Sequence, residues 1–165
     1  MLRPIKDYFE RRAIIRVLRN SVSPEGIEKI LSGDGEIPPP EPRDIEFVLI
    51  LINTNALETK ENWNNIVVLA KQHGYIIDAF AGALIYLAQG LFPHENSISA
   101  TDLAKKIQNQ IGNGGRIIYG NGTALCGSIG GDDFYHYTAQ LPQFPEVLGH
   151  LCSLPEGGCE EFEAN

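Results

Sequence analysis

Residues 122–138 read GTALCGSIGGDDFYHYT. Apolar and aromatic residues flank Gly130, Gly131, Asp132 and Asp133, and the Gly-Gly-Asp-Asp run supplies the residues that a tight turn requires. The stretch therefore predicts two antiparallel strands joined by a glycine-rich tip. Asp132, Asp133 and His136 lie close together on that tip and are candidate metal ligands, although carboxylates at a turn are more often solvent-facing turn formers.

Working outward, the run IEFVLILI from Ile45 to Ile52 is apolar without alternation, as in a strand buried on both faces. The segment KENWNNIVVLAKQHG has helical spacing and stops at Gly74, and His73 in its last turn reads as a favourable charge at a helix C-terminus rather than a general base. YIIDAFAGALIYLAQG predicts a hairpin about Gly82, and Ser99 caps a helix running to Ile111. A short helix is expected from Pro145. Upstream, Leu2, Ile5, Phe9, Ala13 and Val17 recur at helical spacing, and Ser23 and Pro24 open a second helix that Gly33 ends. GDGEIPPPEPR at 33–43 reads as an extended linker and the acidic end EGGCEEFEAN as frayed. The expected organisation is a helical segment at 1–35, a Pro-rich linker at 36–43, one domain at 44–155 and a tail at 156–165. The fold class is α+β, a mainly antiparallel ferredoxin-like sheet with helices packed on it.

Composition narrows the function. The net charge of -8 and a pI near 4.9 disfavour nucleic acid and anionic membranes as partners. Arg3, Lys6, Arg11, Arg12, Arg16 and Arg19 nevertheless concentrate basic charge at the N-terminus, as a solvated face or a docking surface. The cysteines, Cys126, Cys152 and Cys159, have no metal-ligand spacing and suit reduced thiols in a cytoplasmic protein. Cys126 reads as a small core hydrophobe rather than a nucleophile. No apolar run is long enough to span a bilayer. The glycine runs at 112–115 and 120–122 lack the Lys-Ser or Lys-Thr of a phosphate loop and read as turns.

Gly130 to Phe134 is one conservative change from the GGDEF signature of enzymes that make cyclic di-GMP, but it comes too late in the chain for that family. Its surroundings resemble class III adenylate and guanylate cyclases instead. Gly122, Gly127, Ile129, Gly130, Tyr137 and Thr138 match the pattern GxxxxGxIGxxxRxDYT, and His73, Gly74, Ile76, Phe80 and Gly82 match HGGxIxKFxGDxxxxxF. SVSPEGIEKIL is similar to the helix that often precedes such domains, so the resemblance runs from about Arg12 to Leu154.

The resemblance implies two metal-binding aspartates, a base-selecting lysine, and an asparagine and arginine that stabilise the transition state. The first aspartate falls on Leu51 or Ile52, the second on Ala83, the lysine on Ala79, and the helix pair on Pro145 and Gly149. Asn53 and Asn55 are near the first position but are neutral amides. Thr138 holds a position that touches the base in some members. The expectation is therefore a chain that is not an enzyme: a degenerate cyclase-homology domain without cofactor or metal. Its role would be as an interaction and regulatory module in signalling, a homodimer or a heterodimer with a cyclase-like partner. The alternatives are a nucleotide-binding protein and a residual cyclase with an altered site.

Overall fold

A computed structural model describes residues 40–53, 58–89, 94–131 and 134–163, with single positions at 12, 15, 24, 27, 28 and 32. Its elements are β1 (Glu41–Ile52), α1 (Glu58–Gln72), β2 (Ile76–Ala81), β3 (Leu84–Gln89) and α2 (Ala100–Ile111), followed by β4 (Gly115–Gly131), β5 (Phe134–Gln140), α3 (Phe144–Ser153) and β6 (Cys159–Glu161). The strands form one sheet in the order β2-β3-β1-β4-β5, antiparallel throughout, with β6 parallel to β4. This is the expected α+β architecture. The two N-terminal helices fall largely outside the described residues, as do Asp132 and Asp133.

The apolar run of β1 sits at the centre because both of its faces are covered. Phe47 and Leu49 enter one core with Val147 and Leu151 of α3, and Ile27 from the N-terminal segment joins them. Val48, Ile50 and Ile52 enter the other, with Ile66 and Ala70 of α1 and Leu103, Ala104 and Ile107 of α2. Each fully buried Leu or Ile side chain stabilises the fold by about 1.5–3 kcal/mol, so the lack of polar alternation in β1 follows from its position.

Local chemistry fixes the element ends. The Ser99 hydroxyl accepts from the Asp102 amide at 3.1 Å, and Glu46 of β1 accepts from the Ala100 amide, so two side chains cap the start of α2. Gly112 ends α2 with φ 53°, and Gly82 takes φ 60° in the two-residue loop between β2 and β3.

Two segments differ from expectation. β1 begins at Glu41, inside the stretch read as linker, and Pro42 pairs with Leu125. Pairing of β1 with β3 starts only at Glu46, so at Pro42 the strand has β4 on one side alone, and the missing N–H is tolerated. The acidic end is also more ordered than a frayed tail. The Ile117 amide donates to Gly158 at 2.8 Å and the Phe162 amide to Tyr119 at 2.7 Å, while the Phe162 ring packs 6.5 Å from that of Phe47. Burial of that ring holds β6 against the sheet.

Candidate functional site

On a flat sheet β2 and β5, four strand steps apart, would be separated by roughly 19 Å. Here the Thr138 hydroxyl of β5 donates to Asp78 Oδ2 of β2 at 3.0 Å, and the Tyr86 hydroxyl of β3 donates to the Ala139 carbonyl of β5 at 2.9 Å. The sheet is therefore curled, bringing its two outer strands together on the α3 side. The hollow so formed is a cavity of about 630 Å³. Its walls include Asp78 and Ala79 of β2, Tyr86 of β3, Leu125 of β4, Gln140 of β5, Leu141, and Phe144 and Pro145 of α3.

A β-bulge turns Asp78 into this cavity. Ile77 pairs with Leu87 and Ala79 with Tyr86, so Asp78 is the extra residue on β2, and both it and Ala79 border the hollow. Asp78 is 9% exposed and Thr138 5%. Burial, and then the Asp78 charge, push the Tyr86 phenol above its ordinary range, which keeps that hydroxyl a hydrogen-bond donor. Tyr86 and Phe144 meet edge to face, with centroids 5.4 Å apart. Sequence reasoning singled out Thr138 and Ala79 but missed Asp78. The available signal was a carboxylate inside an otherwise apolar run, IIDAFAGALIYL.

The positions matched to the metal aspartates do come together. The Ile52 amide donates to the Ala83 carbonyl at 2.9 Å, which places the end of β1 against the β2–β3 loop. Leu51 packs on the α3 side and Ile52 is buried on the α1–α2 side, so the two alignment choices point to opposite faces. None of the side chains of Leu51, Ile52 and Ala83 has an oxygen to offer a hard divalent cation. Across the sheet Leu51 pairs with Arg116, whose fixed positive charge opposes a cation, and whose guanidinium donates to the Cys152 carbonyl at 3.2 Å. Asn53 Nδ2 donates to the Asn113 carbonyl at 3.3 Å, and Asn55 lies outside the described residues. These residues do not fit a two-metal centre, and among the described residues no group of three or more His, Cys, Asp or Glu is placed to hold a metal.

Pro145 and Gly149 sit one turn apart on α3, both exposed, and Pro145 borders the cavity. His73 has its ring nitrogen Nδ1 2.7 Å from the Asn96 carbonyl, at the end of the molecule where β3 gives way to α2. Among the described residues no helix is long and apolar enough to cross a membrane.

No family model and no curated protein matches the sequence. Solved structures do match in three dimensions. The adenylyl cyclase CyaB from P. aeruginosa is 13% identical with a TM-score of 0.60, covering 75% of this chain and 79% of that one. The guanylate cyclase domain of RhGC from Catenaria anguillulae, in complex with GTP, is 14% identical with a TM-score of 0.56, covering 73% and 79%. A dimeric guanylyl cyclase domain of the RhoGC fusion protein from Blastocladiella emersonii is 13% identical with a TM-score of 0.56, covering 73% and 80%.

The chain thus has the fold of adenylyl and guanylyl cyclase domains. This corrects one expectation. Missing motif side chains led to the reading that the chain is not an enzyme, yet the structures that share its fold are cyclases by name, which stands against that reading. The physical reason is that a motif counts side chains at fixed positions in one chain, whereas a site can draw ligands from a bulge or from a second chain.

Proposed function

We propose that this cyclase-fold domain binds a purine nucleotide in the β2–β5 cavity, as a nucleotide-binding protein or cyclase with an altered site. The cavity carries the reading. Its volume of about 630 Å³ lies within the roughly 300–1,000 Å³ of small-molecule sites, with apolar walls and a few converging polar groups. The structural likeness to a guanylate cyclase domain in complex with GTP supports it. Since Leu51, Ile52 and Ala83 carry no side-chain metal ligands, binding should not depend on a divalent cation. Calorimetric titration with ATP and GTP, with Mg2+ and with EDTA, is expected to show binding that EDTA does not abolish. Failure of both nucleotides to bind at millimolar concentration would reject the reading.

A second reading, pairing with a cyclase-fold partner in a regulatory role, is favoured by the same apolar metal positions. Two-metal chemistry next to this chain would need carboxylates from another polypeptide. A structural neighbour is a dimeric guanylyl cyclase domain, which supports pairing as a mode open to the fold. Sedimentation velocity across a hundredfold range of concentration is expected to show self-association. A strict monomer throughout would leave a heterologous cyclase-like partner as the form of this reading to pursue.

A further inference from the structure

We propose that His73 and His94 form an acid-sensitive clasp on the loop between β3 and α2, in which protonation of His94 releases one of two holds on the Asn96 peptide. The Asn96 amide donates to His94 Nδ1 at 3.2 Å, while its carbonyl lies 2.7 Å from His73 Nδ1. Two imidazoles thus grip one residue's backbone, one at its N–H and one at its C=O. Neither histidine lines the β2–β5 cavity, so the inference does not depend on what that cavity binds.

The turn between α1 and β2 builds the clasp. Gly74 has φ 75°, and a Cβ there would come within 2.5 Å of His94 Cβ, so the glycine leaves the space that His94 fills. Gln89 Nε2 donates to the His73 carbonyl at 2.9 Å and also to the Ser97 hydroxyl, and the Tyr75 hydroxyl donates to the Ile98 carbonyl at 3.1 Å. Directly or through Gln89, His73, Gly74 and Tyr75 fasten the segment from His94 to Ile98, just ahead of the Ser99 cap of α2.

The two rings carry opposite proton assignments. A carbonyl only accepts, so His73 Nδ1 must carry hydrogen, as it does in both the Nδ1–H neutral ring and the imidazolium. An amide N–H only donates, so His94 Nδ1 must be bare, which requires the neutral ring with its hydrogen on Nε2. Protonating His94 sets a second donor against the Asn96 amide and removes that hold, whereas protonated His73 keeps its bond and strengthens it by charge. Closure on His94 needs the neutral ring, so lowering the pH favours release, within the range of about pH 5 to 8 where histidine changes charge. The other titratable groups around the loop are Lys71 at the end of α1, Tyr75, Glu46 of β1, Glu95 in the loop itself and Asp102 in the first turn of α2.

Nuclear magnetic resonance on the full chain tests the clasp. Long-range proton–nitrogen spectra at about pH 8, above the histidine range, are expected to show His73 in the Nδ1–H form and His94 in the Nε2–H form. Hydrogen-exchange protection of the Asn96 amide, corrected for the intrinsic rate, is expected to fall about two- to tenfold from about pH 8 to about pH 5, as for the loss of one hydrogen bond. His94→Gln supplies an acceptor that does not titrate and is expected to abolish that fall. His73→Gln keeps a donor to the carbonyl and is expected to retain it. Both variants leave Glu46, Glu95 and Asp102 in place, so a fall that persists in His94→Gln, or that vanishes in His73→Gln, would assign the titration to another group and overturn the proposal. An Nδ1–H form of His94 in the neutral protein, or Asn96 protection that does not change with pH, would overturn it as well. Both of those readings come from the unaltered protein, so they decide the question even where a variant fails to fold.

Discussion

Cys126 and Cys152 sit at opposite extremes of exposure within one chain. Cys126 is buried, and desolvation pushes its thiol up to about 11, against the downward pull of Arg43. Cys152 is exposed at the end of α3. With the thiolate as the reacting species, a rise from the ordinary 9.0 to about 11 lowers its share at pH 8 by about 100-fold. An aromatic disulfide reagent is therefore expected to label Cys152 promptly and Cys126 only on unfolding, as mass spectrometry of the labelled peptides would show. The same shift has a sign for stability. A folded value above the unfolded one stabilises the native state fully below pH 9 and loses that contribution as pH rises through about 11. Tyr75 and Tyr86, both raised chiefly by burial, add a further loss above their ordinary 10.0. Urea midpoints should accordingly hold steady up to about pH 9 and fall beyond it, and a midpoint that rises there would contradict the burial of these groups. The burial of Cys126 was legible in its apolar setting, GTALCGSI. The role of Asp78 was not, because a period-two strand pattern assigns one face to each residue and a bulge breaks that assignment.

At the scale of elements, a tight joint lies where the turn after α2 enters β4. Gly115 pairs with Ile52, and a Cβ there would come within 2.8 Å of the Leu51 carbonyl oxygen and 2.9 Å of Ile111 Cδ1. Gly115→Ala must push β4 away from β1, at an expected cost of about 1–3 kcal/mol. Gly149 on α3 gives the contrast, since an added Cβ meets nothing within 4 Å. Gly149→Ala is expected to stabilise by up to about 1 kcal/mol through helix propensity. Urea denaturation of the two variants beside the unaltered protein checks both signs. Helix and hairpin ends were readable in advance because Ser99, Gly82 and Gly112 act within a few residues of themselves. The start of β1 was misplaced because the tolerance for Pro42 depends on a neighbour, Leu125, that is remote in sequence.

For the whole molecule, the C-terminal segment closes the α3 side of the sheet. Phe162 packs beside Phe47 and His150, and His150 Nε2 lies 3.3 Å from Glu160 Oε2, so the segment ties β4 to α3. The exposed ion pair contributes little, and the ring supplies most of the hold. Phe162→Ala is expected to cost about 1–3 kcal/mol, below the figure for a fully buried Phe because Phe162 is only half-buried. Glu160→Gln should change stability by less than about 1 kcal/mol. Equal effects from the two changes, read from denaturation midpoints, would assign the hold to charge instead. The sequence suggested a frayed tail because Glu156, Glu160, Glu161 and Glu163 dominate its composition, and one aromatic outweighs them by packing.

Local pattern was enough to place β1 to β5, the helices α1 to α3 and their order, and with them the α+β class. Those features arise from periodicity, caps and turns that act over a few residues. The resemblance to class III cyclases, carried by motifs at fixed positions, supplied the cyclase-like fold and matched the family's metal positions to Leu51 or Ile52 and Ala83. Only the folded chain shows that β2 and β5 meet, that Asp78 reaches Thr138, and that a cavity opens between them and α3. A hollow is made by the curl of a whole sheet and by contacts between residues 60 positions apart, and no periodicity along the chain encodes either.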